Sequence, residues 1–157
     1  MTETKELWLS KSEQHAWRAY LRASRALEVR LDTELQDVGL SFAEYELLSM
    51  LSEAPDGSMR MSALADLIIQ SRSRVTHTAN RLERRGWVSR SNAPDDRRGV
   101  VLSLTAGGWE TVRRAARLHV QGVRTHFVDQ IDPDLLDTVG NAMDGVRRHL
   151  LGDSEVA

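Results

Sequence analysis

Between positions 6 and 38 the chain has neither Pro nor Gly, and apolar residues recur at helical spacing in Trp17, Leu21, Leu27, Leu31 and Leu35. One long helix over 6–38 is predicted, with Gly39 closing it just past the last turn. Ser41-Phe42-Ala43-Glu44 has the form of a capping box and starts a second helix through Tyr45, Leu48 and Leu51. Ala54-Pro55-Asp56-Gly57 then turns the chain. Ser62 is placed to cap a short third helix over 63–69, and Ser71 a fourth. The fourth has Val75, Ala79 and Leu82 on its inner face and Gly86 after its end. Two short helices joined by about three residues make a helix-turn-helix pattern.

After Gly86 the period changes from helix to strand. Two extended runs, 87–91 and 100–104, flank the polar stretch 92–99 and read as a hairpin, the wing of a winged helix-turn-helix. Thr105 can cap a fifth helix to about Gln130 through Val112, Leu118, Val123 and Phe127. Asp132-Pro133 supplies a cap and a first-turn proline for a last helix through Leu136, Val139, Met143, Val146 and Leu150, and the chain from Gly152 onward is expected to fray. The fold class is therefore mainly α with a small β wing. Residues 1–157 form one unit, with a DNA-binding core at 41–104 and long flanking helices at 6–38 and 106–150. Those flanking helices carry apolar stripes that so small a core cannot cover, which predicts dimerisation helices and a symmetric homodimer. A two-fold axis in turn matches a palindromic DNA site.

Charge sharpens this picture. The net charge of −2 over 157 residues argues against a polyanion partner until its distribution is read. Residues 71–98 hold eight Arg against Glu83, Asp95 and Asp96, a local net of +5, so double-stranded DNA is the expected partner. Cysteine is absent, which removes disulfides, thiolate metal sites and cysteine nucleophiles. No apolar run reaches 18 residues, and the first ten residues carry Glu3 and Glu6 where a signal peptide would be basic and then apolar, so no membrane association and a cytoplasmic location are expected.

The outward side chains of the fourth helix, Arg72, Ser73, Arg74, Thr76, His77, Asn80 and Arg81, together with the cap Ser71, have the chemistry that reads base edges and phosphates in a major groove. The wing adds Asp96, Arg97 and Arg98, and an inserted Arg can reach a minor groove. Asp96 is expected to pair with Arg98 and hold it extended.

Leu64-Ala65-Asp66, the stretch 71–81, Arg81-Leu82-Glu83-Arg84-Arg85-Gly86-Trp87-Val88 and Asp96-Arg97-Arg98-Gly99-Val100-Val101-Leu102-Ser103-Leu104-Thr105-Ala106-Gly107-Gly108 resemble the MarR family of bacterial regulators. The resemblance implies an obligate dimer held by terminal helices, the fourth helix in the major groove and the wing arginine, Arg98, in the minor groove. It departs at His77, where an Arg is frequent in the family. It also implies release of DNA when a small phenolic or aromatic acid binds between the dimerisation helices and the DNA-binding lobe, and a repressor is expected because operator occupancy alone can block a polymerase. His15, Trp17, Arg18, Tyr20 and Arg22 on the first helix could stack on and pair with such an acid, or Trp17 and Tyr20 could be dimer core and the arginines surface charges.

Two alternatives share this fold, a metal-responsive regulator and a protein-binding winged helix. His119, His126 and Asp129 on the fifth helix could make a metal-responsive regulator, although they form no HExxH pair. A protein-binding winged helix would be expected to have a neutral or acidic fourth helix, unlike this one. There is no Gly-rich phosphate loop and no GxSxG elbow, and the five His are scattered, so neither an enzyme nor a cofactor is expected.

Overall fold

The computed structural model describes residues 8–152. Helix α1 (Lys11–Leu35) starts at Ser10, whose Oγ accepts from the Glu13 N–H at 3.2 Å while Glu13 Oε2 accepts from the Ser10 N–H at 2.7 Å. The helix thus begins later than expected: Trp8 and Leu9 precede it, and residues 6 and 7 lie outside the described residues. Ser10-Lys11-Ser12-Glu13 is itself a capping box, the signal that fixes this start. A 3₁₀ turn (Gln36–Val38) replaces the last α-helical turn, and Gly39 follows in the left-handed region at φ 77°. Helix α2 (Phe42–Glu53) carries the predicted box between Ser41 and Glu44.

Past a 3₁₀ turn (Pro55–Gly57) lies a strand the sequence pattern did not reveal, β1 (Ser58–Arg60). Helix α3 (Met61–Leu67) starts directly after it, with Arg60 at the cap and no side-chain cap bond. Ser62 therefore sits inside the first turn instead of capping it. The helix stops before the expected Ile69, because Ile69 takes φ 55° and the Gln70 N–H returns to the Ala65 carbonyl at 3.1 Å. Helix α4 (Arg72–Arg84) is capped by Ser71 as predicted and buries Val75, Ala79 and Leu82, with Thr78 added to that face.

The wing strands β2 (Val88–Ala93) and β3 (Asp96–Leu104) are longer than 87–91 and 100–104, and only Pro94 and Asp95 turn between them. The antiparallel sheet has the order β1-β3-β2. Its register jumps from Asn92↔Val100 to Ala93↔Asp96, so Arg97, Arg98 and Gly99 have no partner on β2 and bulge from the tip. Helix α5 (Ala106–His126) is capped by Thr105 and gives way to a 3₁₀ turn (Val128–Gln130) before the expected end. Asp132 caps a further 3₁₀ turn (Pro133–Leu135), not the last helix directly, and α6 (Leu136–Leu151) follows.

The core is the inner face of the helix-turn-helix closed by the sheet and α5: Leu35, Leu47, Leu48, Leu51, Leu64, Val75, Leu82, Leu102, Val112 and Ala115 are all buried. Gly108 lets α5 leave the sheet at close quarters, since a Cβ there would lie 2.0 Å from the Trp87 carbonyl oxygen. Helix α6 has no buried residue, and Met143, Val146, Leu150 and Leu151 on it are exposed, as are Trp17 and Tyr20 on α1. Among the described residues no helix is long and apolar enough to cross a membrane.

Candidate nucleic-acid interface

The buried stripe Val75, Thr78, Ala79 and Leu82 turns the opposite face of α4 outward, and Arg72, Ser73, Arg74, Thr76 and His77 are exposed there. Ser71 Oγ accepts from the Arg74 N–H at 3.3 Å, which fixes the first turn of a helix whose amino end favours anions. Arg72 and Thr76 line one side of a groove of about 360 Å³. Arg98, Gly99 and Val100 line the other side, so the first half of α4 and the wing bulge border a common space. The groove also takes in Arg60, Met61 and Ser62 from the β1–α3 junction. Arg97 and Arg98 are exposed, and the bulge leaves their side chains outside the ladder.

Two expected readers are engaged elsewhere. Arg81 Nε donates to Glu44 Oε1 at 3.1 Å, and its side chain is 36 % exposed against 9 % for Glu44. Glu44 also accepts from the Ser41 N–H at 2.9 Å and lies 3.8 Å from the Arg85 guanidinium, which itself donates to the Gly39 carbonyl and covers the Trp87 ring. Arg81 is thereby a clamp between α4 and the start of α2. Asn80 Oδ1 accepts from Arg90 Nη2 at 2.5 Å, and Arg90 also faces Glu83 at 3.5 Å, so Asn80 and Arg90 brace β2 against α4. Arg84, which is not among the expected DNA readers, shares a shallow exposed face with His77, Asn80 and Glu83. The spacing 77, 80, 84 was the available signal, since it repeats i, i+3, i+7 along one helix face.

Asp96 departs from its expected partner. Its Oδ1 accepts from the Arg98 backbone N–H at 2.9 Å, whereas its charge faces Arg60, with Nη1 to Oδ2 at 4.0 Å. The backbone of the bulge is pinned, and the Arg98 guanidinium is left free of Asp96.

The proposed ligand residues divide between two faces of α1. His15, Arg18 and Arg22 line one shallow groove, while Trp17 and Tyr20 lie together on another side with ring centroids 6.2 Å apart. A larger cleft of about 880 Å³ opens instead between α1, α2 and the α3–α4 turn, and Arg25, Glu28, Glu46 and Arg74 stand in its wall. Burial pushes the Glu46 carboxyl up from its ordinary range, Glu28 adds to the shift and Arg74 opposes it. The metal candidates do not converge. His126 Nε2 lies 2.6 Å from Glu34 Oε1, His119 packs against Tyr45 with ring centroids 4.5 Å apart, and no cluster of three or more metal-ligating side chains exists among the described residues.

A sequence profile described as the MarR family matches residues 40–100, the span of the helix-turn-helix and wing. Among curated proteins, the HTH-type transcriptional regulator PecS of Dickeya dadantii is 30 % identical over 105 residues, 66 % of this chain and 63 % of PecS. The transcriptional repressor MprA of Escherichia coli is 33 % identical over 90 residues, 57 % of this chain and 51 % of MprA. The chain thus spans between half and two thirds of those relatives. Solved structures reach further. AbsC, a MarR family transcriptional regulator from Streptomyces coelicolor, aligns with a TM-score of 0.88 at 42 % identity, covering 93 % of this chain and 99 % of AbsC. Sco3205, a MarR family regulator from the same organism solved in complex with DNA, aligns with a TM-score of 0.88 at 40 % identity over 91 % of this chain and 94 % of its own. With the profile on the winged core and 42 % identity to AbsC over 93 % of the chain, the chain belongs to the MarR family of transcriptional regulators.

Proposed function

We propose that the protein is a homodimeric repressor, not an enzyme, that binds a palindromic operator through α4 and the wing. The observation that carries this reading is the shared groove: Arg72 and Thr76 of the recognition helix and Arg98 of the wing border one space, on the segment where the local charge is +5. Phosphate contacts from such a surface supply affinity and base-edge contacts supply sequence preference. The Sco3205 complex, at 40 % identity, supports DNA as the partner. The unburied apolar residues of α6 and of the front of α1 support the dimer, because leaving them in water would cost roughly 1.5–3 kcal/mol for each large side chain.

Selection from random duplex DNA tests this directly. A palindromic consensus with half-sites about one helical turn apart is expected. Recovery of no consensus, with weak binding indifferent to sequence, would favour a protein-binding winged helix.

A small aromatic or phenolic acid as the releasing effector is the finer part of the reading. The cleft beside Arg25 and Arg74 supports it, since its walls join α1 to the recognition helix and these two guanidiniums could pair with an incoming carboxylate. A ligand that prefers the dimer spacing unsuited to DNA lowers operator affinity by its differential affinity and no more. Calorimetric titration with a panel of aromatic acids should give saturable heat for at least one of them, and no heat across the panel counts against the effector.

A further inference from the structure

The wing tip of this chain carries two carboxylates, Asp95 and Asp96, on the edge that the proposed function turns toward a polyanion. Both carboxylates face one side chain. Arg60 Nη2 pairs with Asp95 Oδ1, and Arg60 Nη1 stands 4.0 Å from Asp96 Oδ2. Arg60 comes from β1, 35 residues before Asp95 in sequence, so the contact ties the hairpin tip back to the base of the helix-turn-helix. Gly99 makes room for it, because a Cβ at 99 would lie 3.0 Å from Arg60 Nη1. Asp96, held from one side by Arg60, accepts from the Arg98 N–H with its other oxygen. Arg60 is the cap residue of α3, and its guanidinium, which has donors only and cannot cap a helix start, reaches to the wing tip.

We infer that Arg60 is a positioning residue for the wing: by bridging Asp95 and Asp96 it offsets one of their two negative charges and fixes the bulge that presents Arg98. This rests on the DNA-binding reading above, but the strap itself can be observed without DNA.

The sign of one substitution separates the strap from ordinary electrostatics. Asp95→Asn with Asp96→Asn removes two negative charges beside the phosphates, and if they were mere surface charges operator binding would tighten. The strap predicts the reverse, a loss of about fivefold, the upper range for a partly exposed ion-pair network. Arg60→Ala, which also leaves both carboxylates uncompensated beside the phosphates, should lose at least that factor, Arg60→Lys should recover part of it, and Arg60→Ala added to the Asn pair should lose nothing more. An arginine that touched phosphate directly would instead cost the same in both backgrounds and lower the salt slope by about 0.9. The DNA would be a duplex selected from random sequence, read by fluorescence anisotropy.

Amide hydrogen exchange of free protein at the Arg98 N–H should quicken severalfold in Arg60→Ala and not in Arg60→Lys, with the exchange of α4 unchanged. If wild-type protein binds no duplex, the DNA reading fails and the exchange result still decides the strap. Unaltered Arg98 exchange in Arg60→Ala, or binding tightened by the Asn pair, overturns the inference.

Discussion

Replacing Arg81 with alanine strips buried Glu44 of its nearest cation. Glu44 would retain the Ser41 N–H at 2.9 Å and the Arg85 guanidinium at 3.8 Å. Removing one partner of a fully desolvated pair costs about 3–5 kcal/mol. Arg81 is 36 % exposed and Arg85 remains in reach, so about 2 kcal/mol is the expected loss. Glu44→Gln keeps an acceptor for the Ser41 amide and gives up the charge, for about 1 kcal/mol. Glu44→Ala gives up the cap as well, for about 3 kcal/mol. In a chain of this length 2 kcal/mol corresponds to a fall in Tm of about 6 °C, readable by circular dichroism at fixed protein concentration. DNA binding by the folded fraction should keep its salt slope in Arg81→Ala, because a clamp holds no phosphate. Unchanged Tm together with weaker binding and a slope lower by about 0.9 would place Arg81 at the DNA and refute the clamp.

Further tests follow from the same geometry. Gly108→Ala puts a Cβ 2.0 Å from the Trp87 carbonyl oxygen and 3.0 Å from its carbon, backbone atoms that cannot swing aside, and overpacking of about 1–3 kcal/mol should outweigh the helix-propensity gain of about 1 kcal/mol, so a raised Tm would contradict the close approach of α5 to the sheet. Burial lowers the proton affinity of His119, so the unfolded chain takes up a proton that the folded state resists; stability should fall as pH drops below about 6.5, and His119→Leu should flatten that limb of Tm against pH. The bond from His126 holds the Glu34 carboxyl below its ordinary range, with Arg30 adding to it. The stability it contributes is present above that range and lost as pH falls through the lowered value, and His126→Gln should shrink this acid-side loss. Val146→Asp, on the unburied face of α6, should halve the mass seen by analytical ultracentrifugation, and an unchanged mass would remove α6 from the dimer contact.

Periodicity and caps made much of the fold legible. Ser41-x-x-Glu44, the αL residues Gly39 and Gly86, and the inner face Val75, Ala79 and Leu82 are local signals, and each is realised in the structure. Ser10-Lys11-Ser12-Glu13 carried the same signal for the start of α1, but the absence of Pro and Gly from position 6 onward drew the boundary too early. Strand β1 was illegible because three residues show no period, and its identity comes from pairing with β3 and from the Ser58 Oγ to Ser103 Oγ bond at 2.8 Å. Helix α3 was drawn too long because an isoleucine in the left-handed region has no propensity signature.

The candidate site divided along similar lines. Exposure of Arg72, Ser73, Arg74, Thr76 and His77 follows from helical phase alone, and their exposure agrees with it. The roles of Arg81, Asn80 and Asp96 depended on Glu44, Arg90 and Arg60, distant in sequence and brought close only by the packing of α2, β2 and β1. A helical wheel shows which residues point outward and is silent on which of them a distant carboxylate or amide has already engaged.

The most direct measurement is fluorescence anisotropy on a selected duplex across a salt series, with Arg98→Ala beside the wild type. Binding near nanomolar that falls steeply with salt, and is weakened in the variant by roughly tenfold or more, is expected of a wing arginine entering a groove. Weak binding indifferent to sequence and equal in the two proteins would contradict a DNA-reading role for α4 and the wing.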